Sequence, residues 1–179
     1  MYSSLLPAML LAMIAFGSAH ADTSPHLGRA ATTSDIAAVG ISAGWDGTGL
    51  PPGRATARDG RPLYDSNCAS CHGRRGEGSG SYPALAGGRG TLKSAEPILT
   101  IGSYWPYATT VWDYINRAMP YQSPGTLTSQ QVYALTAYLL YLNKIVTERQ
   151  IIDQKTLPRI RMPNRKGFTA DPRPDAPKS

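Results

Sequence analysis

Cys68-Ala69-Ser70-Cys71-His72 sets two thiols three positions apart, with an imidazole directly after the second. This is the attachment signature of a c-type haem. Each thiol adds across one haem vinyl group, and the imidazole of His72 is turned under the ring as the proximal iron ligand. Chemistry dictates the spacing, because one short turn must present both sulfurs to the same macrocycle edge. Other readings fare poorly. Structural zinc needs four ligands, yet Cys68 and Cys71 are the only cysteines and the other histidines, His20 and His26, lie near the N-terminus. A thioredoxin-like pair wants a βαβ setting, which the glycine-rich run after His72 does not suggest. A disulfide here would close a very tight loop and gain little chain entropy.

Outward from this motif, the 179 residues allow one domain with a long segment on either side. With 18 Gly and 15 Pro the chain suits a loop-rich fold wrapped around a cofactor. A buried porphyrin supplies much of the apolar surface that a small core lacks. Residues 1–21 read as a secretory signal: Leu5 to Phe16 is an apolar run, and Ala19-His20-Ala21 is the small-x-small pattern of a cleavage site. No Lys or Arg precedes Leu5. An uncleaved anchor is the rival, disfavoured by Pro7 and by a run too short to span a bilayer. Nothing later is long and apolar enough to cross a membrane. Haem is attached to such motifs outside the cytoplasm in bacteria, so export and motif together indicate the periplasm.

Residues 22–53 form an N-terminal arm rich in Gly, Ala, Thr and Pro, read as turns and extended chain. Ile36, Val39, Ile41 and Trp45 are too apolar for a purely solvated tail, so the arm is expected to lie across the haem domain, 54–143, or a partner. Arg61 to Asn67 is predicted as a helix starting near Pro62, with Leu63 and Tyr64 inward and Cys68 at its end. In the run Gly73 to Pro83 the glycines permit positive φ and close backbone approach to the ring. It is no phosphate loop, since no strand precedes it. Pro83 is a candidate to accept the His72 Nδ1–H through its carbonyl, fixing the tautomer. A short helix is expected within Thr91 to Thr100, and a longer one over Thr109 to Met119, with Val111, Ile115 and Ala118 on one face and Pro120 stopping it. The last strong helix is predicted over Thr128 to Asn143. It opens on a Thr128/Gln131 capping box and carries a stripe of Val132, Leu135, Leu139 and Leu142, to be buried against the Leu63/Tyr64 helix.

The second axial position on haem iron decides what the protein does. With Met1, Met9 and Met13 in the signal, Met119 and Met162 remain. Met119 lies between two helices, held extended by Pro120, and is favoured as the sixth ligand. Met162 lies in a basic tail, where packing or docking is its expected role.

That tail, 144–179, holds nine Lys and Arg against four Asp and Glu, so it carries +5 of the net +6. Leu157, Ile160 and Met162 among Arg159, Arg161, Arg165 and Lys166 suggest a strap for an acidic partner surface, with salt-sensitive steering. Beyond about Asp171 a solvated tail is expected. Nucleic acid is a poor alternative for an exported haem protein without a binding motif.

With Cys68 to His72, Met119-Pro120 and the terminal helix, the stretch from about Gly53 to Leu142 resembles a class I cytochrome c domain. That resemblance implies an all-α fold around one covalently attached haem, with N- and C-terminal helices crossing over it and His72/Met119 ligation. A closer resemblance rests on Thr100-Ile101-Gly102-Ser103-Tyr104-Trp105-Pro106-Tyr107-Ala108-Thr109-Thr110, Arg117-Ala118-Met119-Pro120, Val132 to Tyr138, Met162-Pro163-Asn164 and Asp46 to Pro51. These are similar to the cytochrome subunit of sulfane (sulfite) dehydrogenase, the SoxD type of the Sox sulfur-oxidation system. The resemblance implies a subunit, not itself an enzyme, that takes electrons from a molybdopterin dehydrogenase partner and passes them to a downstream acceptor. Some members carry a second haem domain, whereas this chain has one motif. A freely diffusing cytochrome is the alternative, against which the long flanking segments argue. A haem enzyme or gas sensor would need an open iron. Trp105 and Tyr107 are candidates for the face that a partner meets.

Overall fold

In the computed structural model, which describes residues 27–170, 172 and 173, five helices carry the architecture. They are α1 (Thr33–Val39), α2 (Ala57–Asn67), α3 (Ala69–His72), α4 (Ala108–Ala118) and α5 (Ser129–Leu142). The all-α expectation holds, with one two-residue antiparallel pair added, β1 (Arg54–Ala55) on β2 (Ile152–Asp153). The signal over 1–21 lies outside the described residues. Among those residues, no helix is long and apolar enough to cross a membrane.

Helix α2 begins earlier than predicted. The Asp59 carboxylate accepts from the Thr56 backbone N–H (2.8 Å) and hydroxyl (2.7 Å), so the helix starts at Ala57 and Pro62 sits in its interior. A local box of this kind outweighs the missing N–H of one proline. The predicted partner of α5 is correct: Tyr64 is fully buried and its ring lies 5.2 Å from that of Tyr138. The closest approach is at Gly60, where any side chain would collide with the Ala134 carbonyl.

The predicted capping box of α5 is present, Gln131 N–H to Thr128 Oγ1 (3.3 Å) and Thr128 N–H to Gln131 Oε1 (2.8 Å). Its burial is not a stripe, however. Every residue from Val132 to Leu140 is buried. Besides α2, the helix meets α4, where the Trp112 and Tyr133 rings are 5.5 Å apart. It also meets the β-pair, and the Tyr133 hydroxyl donates to the Pro51 carbonyl (2.9 Å). The helix expected within Thr91 to Thr100 shrinks to one 3-10 turn, Thr91–Lys93, because the Thr91 hydroxyl is engaged with Gly88 and Ile98.

Both flanking segments contribute to the structure. In the arm, α1 is a short exposed helix with its own Thr32/Asp35 box, where turns and extended chain were expected. Beyond it the chain lies across the domain through its backbone, while Ile36, Val39, Ile41 and Trp45, whose apolar character suggested the packing, stay exposed. The Ala43 N–H donates to Asp113 (2.7 Å), a carboxylate also held by Arg117 (2.6 Å), and the Thr109 hydroxyl donates to the Trp45 carbonyl (3.1 Å). The tail corrects the strap expectation. Ile152, Leu157 and Met162 are buried in the chain's own core, and Ile160 packs against it, while Arg159, Arg161 and Lys166 stay exposed. Each such burial contributes about 1.5–3 kcal/mol, which a solvated strap would forgo.

Two outcomes are expected. Gly60→Ala should destabilise the haem-loaded protein by about 1–3 kcal/mol in urea, since overpacking here must push the α2 and α5 backbones apart. Burial pushes the Tyr133 phenol up to about 12 from 10.0, so the folded chain keeps a proton that the unfolded chain loses first. This stabilisation is complete below pH 10 and falls away as pH rises toward 12. Tyr133→Phe should therefore lose less stability across that interval than the native chain.

Candidate haem site

Helix α2 hands the chain directly to the attachment motif. The Cys68 N–H closes the last turn of α2 on Tyr64 (2.9 Å), and the Cys68 carbonyl accepts from both Cys71 (3.1 Å) and His72 (2.9 Å), making α3 a single turn. Gly73 ends that turn at φ +79°, a region that favours glycine. The buried Tyr64 hydroxyl donates to the Gly73 carbonyl (2.7 Å), and the His72 carbonyl accepts from Gly78 (2.8 Å). The loop then returns beneath the motif. Leu85 and Ala86 both donate to the Gly76 carbonyl (2.7 and 2.9 Å), and the Pro83 carbonyl lies 2.9 Å from His72 Nδ1.

On the other side, α4 ends at Met119, whose backbone is extended (φ −125°, ψ 148°) and whose N–H closes on Ile115 (3.2 Å). Between the two walls lies a cavity of about 410 Å³ lined by Cys68, Cys71, His72 and Met119, with Pro83 at its edge. All five candidate residues are therefore gathered around one space. Met162 is not among its lining residues; it is packed in the core near the C-terminus. Apolar side chains from every wall complete it, including Leu85, Ile101, Val111, Ile115, Leu135 and Leu139, and among the described residues no Asp, Glu, Lys or Arg lines it.

The donor set fits a covalently held haem. Two cysteine sulfurs, one imidazole and one thioether share an apolar cavity. Before attachment, burial and then the neighbouring Cys71 push the free Cys68 thiol up to about 11. Tyr82, Trp105, Tyr114 and Tyr121 also border the cavity, with Trp105 and Tyr114 edge to face at 5.7 Å. Tyr107 differs from Trp105. Its ring is covered by Arg165 at 4.1 Å, and Trp45 lies beside it at 5.7 Å. Sequence reading offered no role for Asp113 or the Asn143 side chain, since single polar residues in helices show no pattern that names their partners.

The cytochrome c family model matches residues 57–143. A chain in the crystal structure of the sulfane dehydrogenase SoxCD from Paracoccus pantotrophus is 43% identical, with a TM-score of 0.76, over 83% of this chain and 73% of that one. The chain belongs to the cytochrome c family. Its cofactor is a covalently bound haem c, for which Cys68 and Cys71 fit the single attachment site. The cytochrome is also 55% identical over 31 residues to cytochrome c-554(547) from Halothiobacillus neapolitanus. That match covers 17% of this chain and 34% of the relative, so the cytochrome spans about a third of the curated relative that it matches. The likeness to the SoxCD chain is wider than the 57–143 stretch, so it takes in portions of the flanking segments too.

Cys68→Ala should leave haem bound through Cys71 alone. The expected readout is a red shift of the pyridine haemochrome α band, because one vinyl group stays conjugated with the ring.

Proposed function

We propose that this cytochrome is the electron-accepting subunit of a molybdopterin-containing sulfane or sulfite dehydrogenase, works in the periplasm after removal of residues 1–21, and hands electrons to a downstream acceptor. The observation that carries this reading is the likeness to the SoxCD chain, which continues past the cytochrome c domain into the segments that flank it.

The haem supplies one-electron Fe(III)/Fe(II) chemistry. Cys68 and Cys71 would tether it, and His72 would supply an imidazole to the iron. The His72 Nδ1–H donates to the Pro83 carbonyl, at the 2.9 Å separation between those atoms, which fixes the tautomer and orients the ring. Met119 would supply a soft thioether ligand, which raises the potential. The apolar walls exclude water and keep reorganisation small. No acid, base or nucleophile is asked of this chain, so the sulfur chemistry belongs to the partner.

The test is purification of the native protein at mild salt followed by sulfite or thiosulfate. Rapid reduction of haem c, with molybdenum in the same fraction, is the expected outcome. Haem that responds only to dithionite, in a lone monomer, would favour the freely diffusing carrier. Met119→Ala should lose the methionine–iron charge-transfer band and lower the midpoint potential; an unchanged spectrum would remove Met119 from the iron.

A further inference from the structure

A buried amide at the end of α5 grips the loop beneath the haem. Asn143 is 6% exposed. Its Nδ2 donates to the carbonyls of Leu85 (3.0 Å) and Leu139 (2.9 Å), and its Oδ1 accepts from the Gly87 N–H (3.2 Å). These three bonds use both donors and one acceptor site of the amide. The gripped loop is the one that carries Pro83. Gly76 pins it from the attachment side through Leu85 and Ala86, and Asn143 pins it from the helix side. The same knot reaches the neighbouring cavity wall. Thr100 Oγ1 donates to the Gly87 carbonyl (2.7 Å), the Ile101 N–H to the Leu85 carbonyl (3.3 Å), and any side chain at Gly102 would collide with Asn143 Oδ1.

We propose that Asn143 is a positioning residue for the proximal side of the haem: it holds the Pro83–Gly87 loop so that the Pro83 carbonyl stays in reach of His72 Nδ1, and thereby sets the reduction potential. This rests on His72 as the iron ligand. A carbonyl that accepts the imidazole N–H makes the ligand more basic, which favours Fe(III) and lowers the potential. Without the amide, the Gly87 N–H and the Leu85 carbonyl lose the side chain that ties both to the end of α5, and the loop is free to shift. The contact between Pro83 and His72 then loosens, and the potential rises.

The experiment is a spectropotentiometric titration of the haem-loaded full chain, paired with NMR of the His72 Nδ1 proton. Asn143→Leu should move the reduction equilibrium about tenfold toward Fe(II), which is about 59 mV for one electron, and speed exchange of that proton. Gly102→Ala displaces the same amide from the other side and should shift both readouts in the same direction. Val132→Ala, fully buried on the same helix but away from the cavity, should lower Tm and move neither. Unmoved potential and exchange in the Asn143 and Gly102 variants would overturn the proposal, as would an equal shift in the Val132 variant. If Asn143→Leu takes up no haem, Gly102→Ala decides on the same readouts. A native spectrum without histidine–iron ligation would overturn the ligand assignment itself.

Discussion

Backbone contact between α2 and α5 at Gly60 and Ala134 governs the geometry of this protein. With no Cβ at the crossing, the two helices approach more closely than any side chain would allow. Tyr64, one turn further on, then packs on Tyr138 and reaches the Gly73 carbonyl with its hydroxyl. The end of α2 is thereby set against α5, and the attachment turn opens toward Leu135 and Leu139. Two distant stretches of the chain, one bearing the thiols and one bearing the apolar wall, meet because glycine occupies a single position.

The same economy explains the flanking segments. They close on each other as well as on the domain: Gly47 of the arm lies against Pro158 of the tail, Arg165 covers Tyr107 beside Trp45, and β2 of the tail pairs with β1 of the domain. Apolar side chains of the tail enter the core while its cations stay outside. The basic charge is therefore displayed on a structured surface, where it can still steer an encounter. Asp113 connects this clasp to the haem side, since α4 carries it on one face and cavity residues Val111 and Ile115 on the other.

In the cavity, the polar groups that matter are few and each is constrained by backbone. Pro83 has no N–H and leaves its carbonyl toward His72, Gly76 anchors the returning loop, and the α5 terminus supplies Asn143. On the proposed electron-transfer role, this is where the protein would tune its iron.

The sequence by itself determined the chemistry and the main helices. Cys68, Cys71 and His72 are legible because a covalent attachment permits little variation in spacing, and α4 and α5 are legible because apolar periodicity and, for α5, a capping box are local properties. It also brought forward Met119, as a thioether held extended by Pro120, and Pro83, as a carbonyl able to accept from the His72 imidazole. What only the tertiary structure decided are the matters that depend on distant neighbours. Pro62 could be read as a helix start until the Thr56 and Asp59 box placed it inside α2. The tail's apolar residues could serve a partner or the core, and packing sent them to the core. Gly60, Asp113 and Asn143 carry no local signature at all, because the meaning of a missing side chain, a carboxylate or an amide lies in what the fold sets against it.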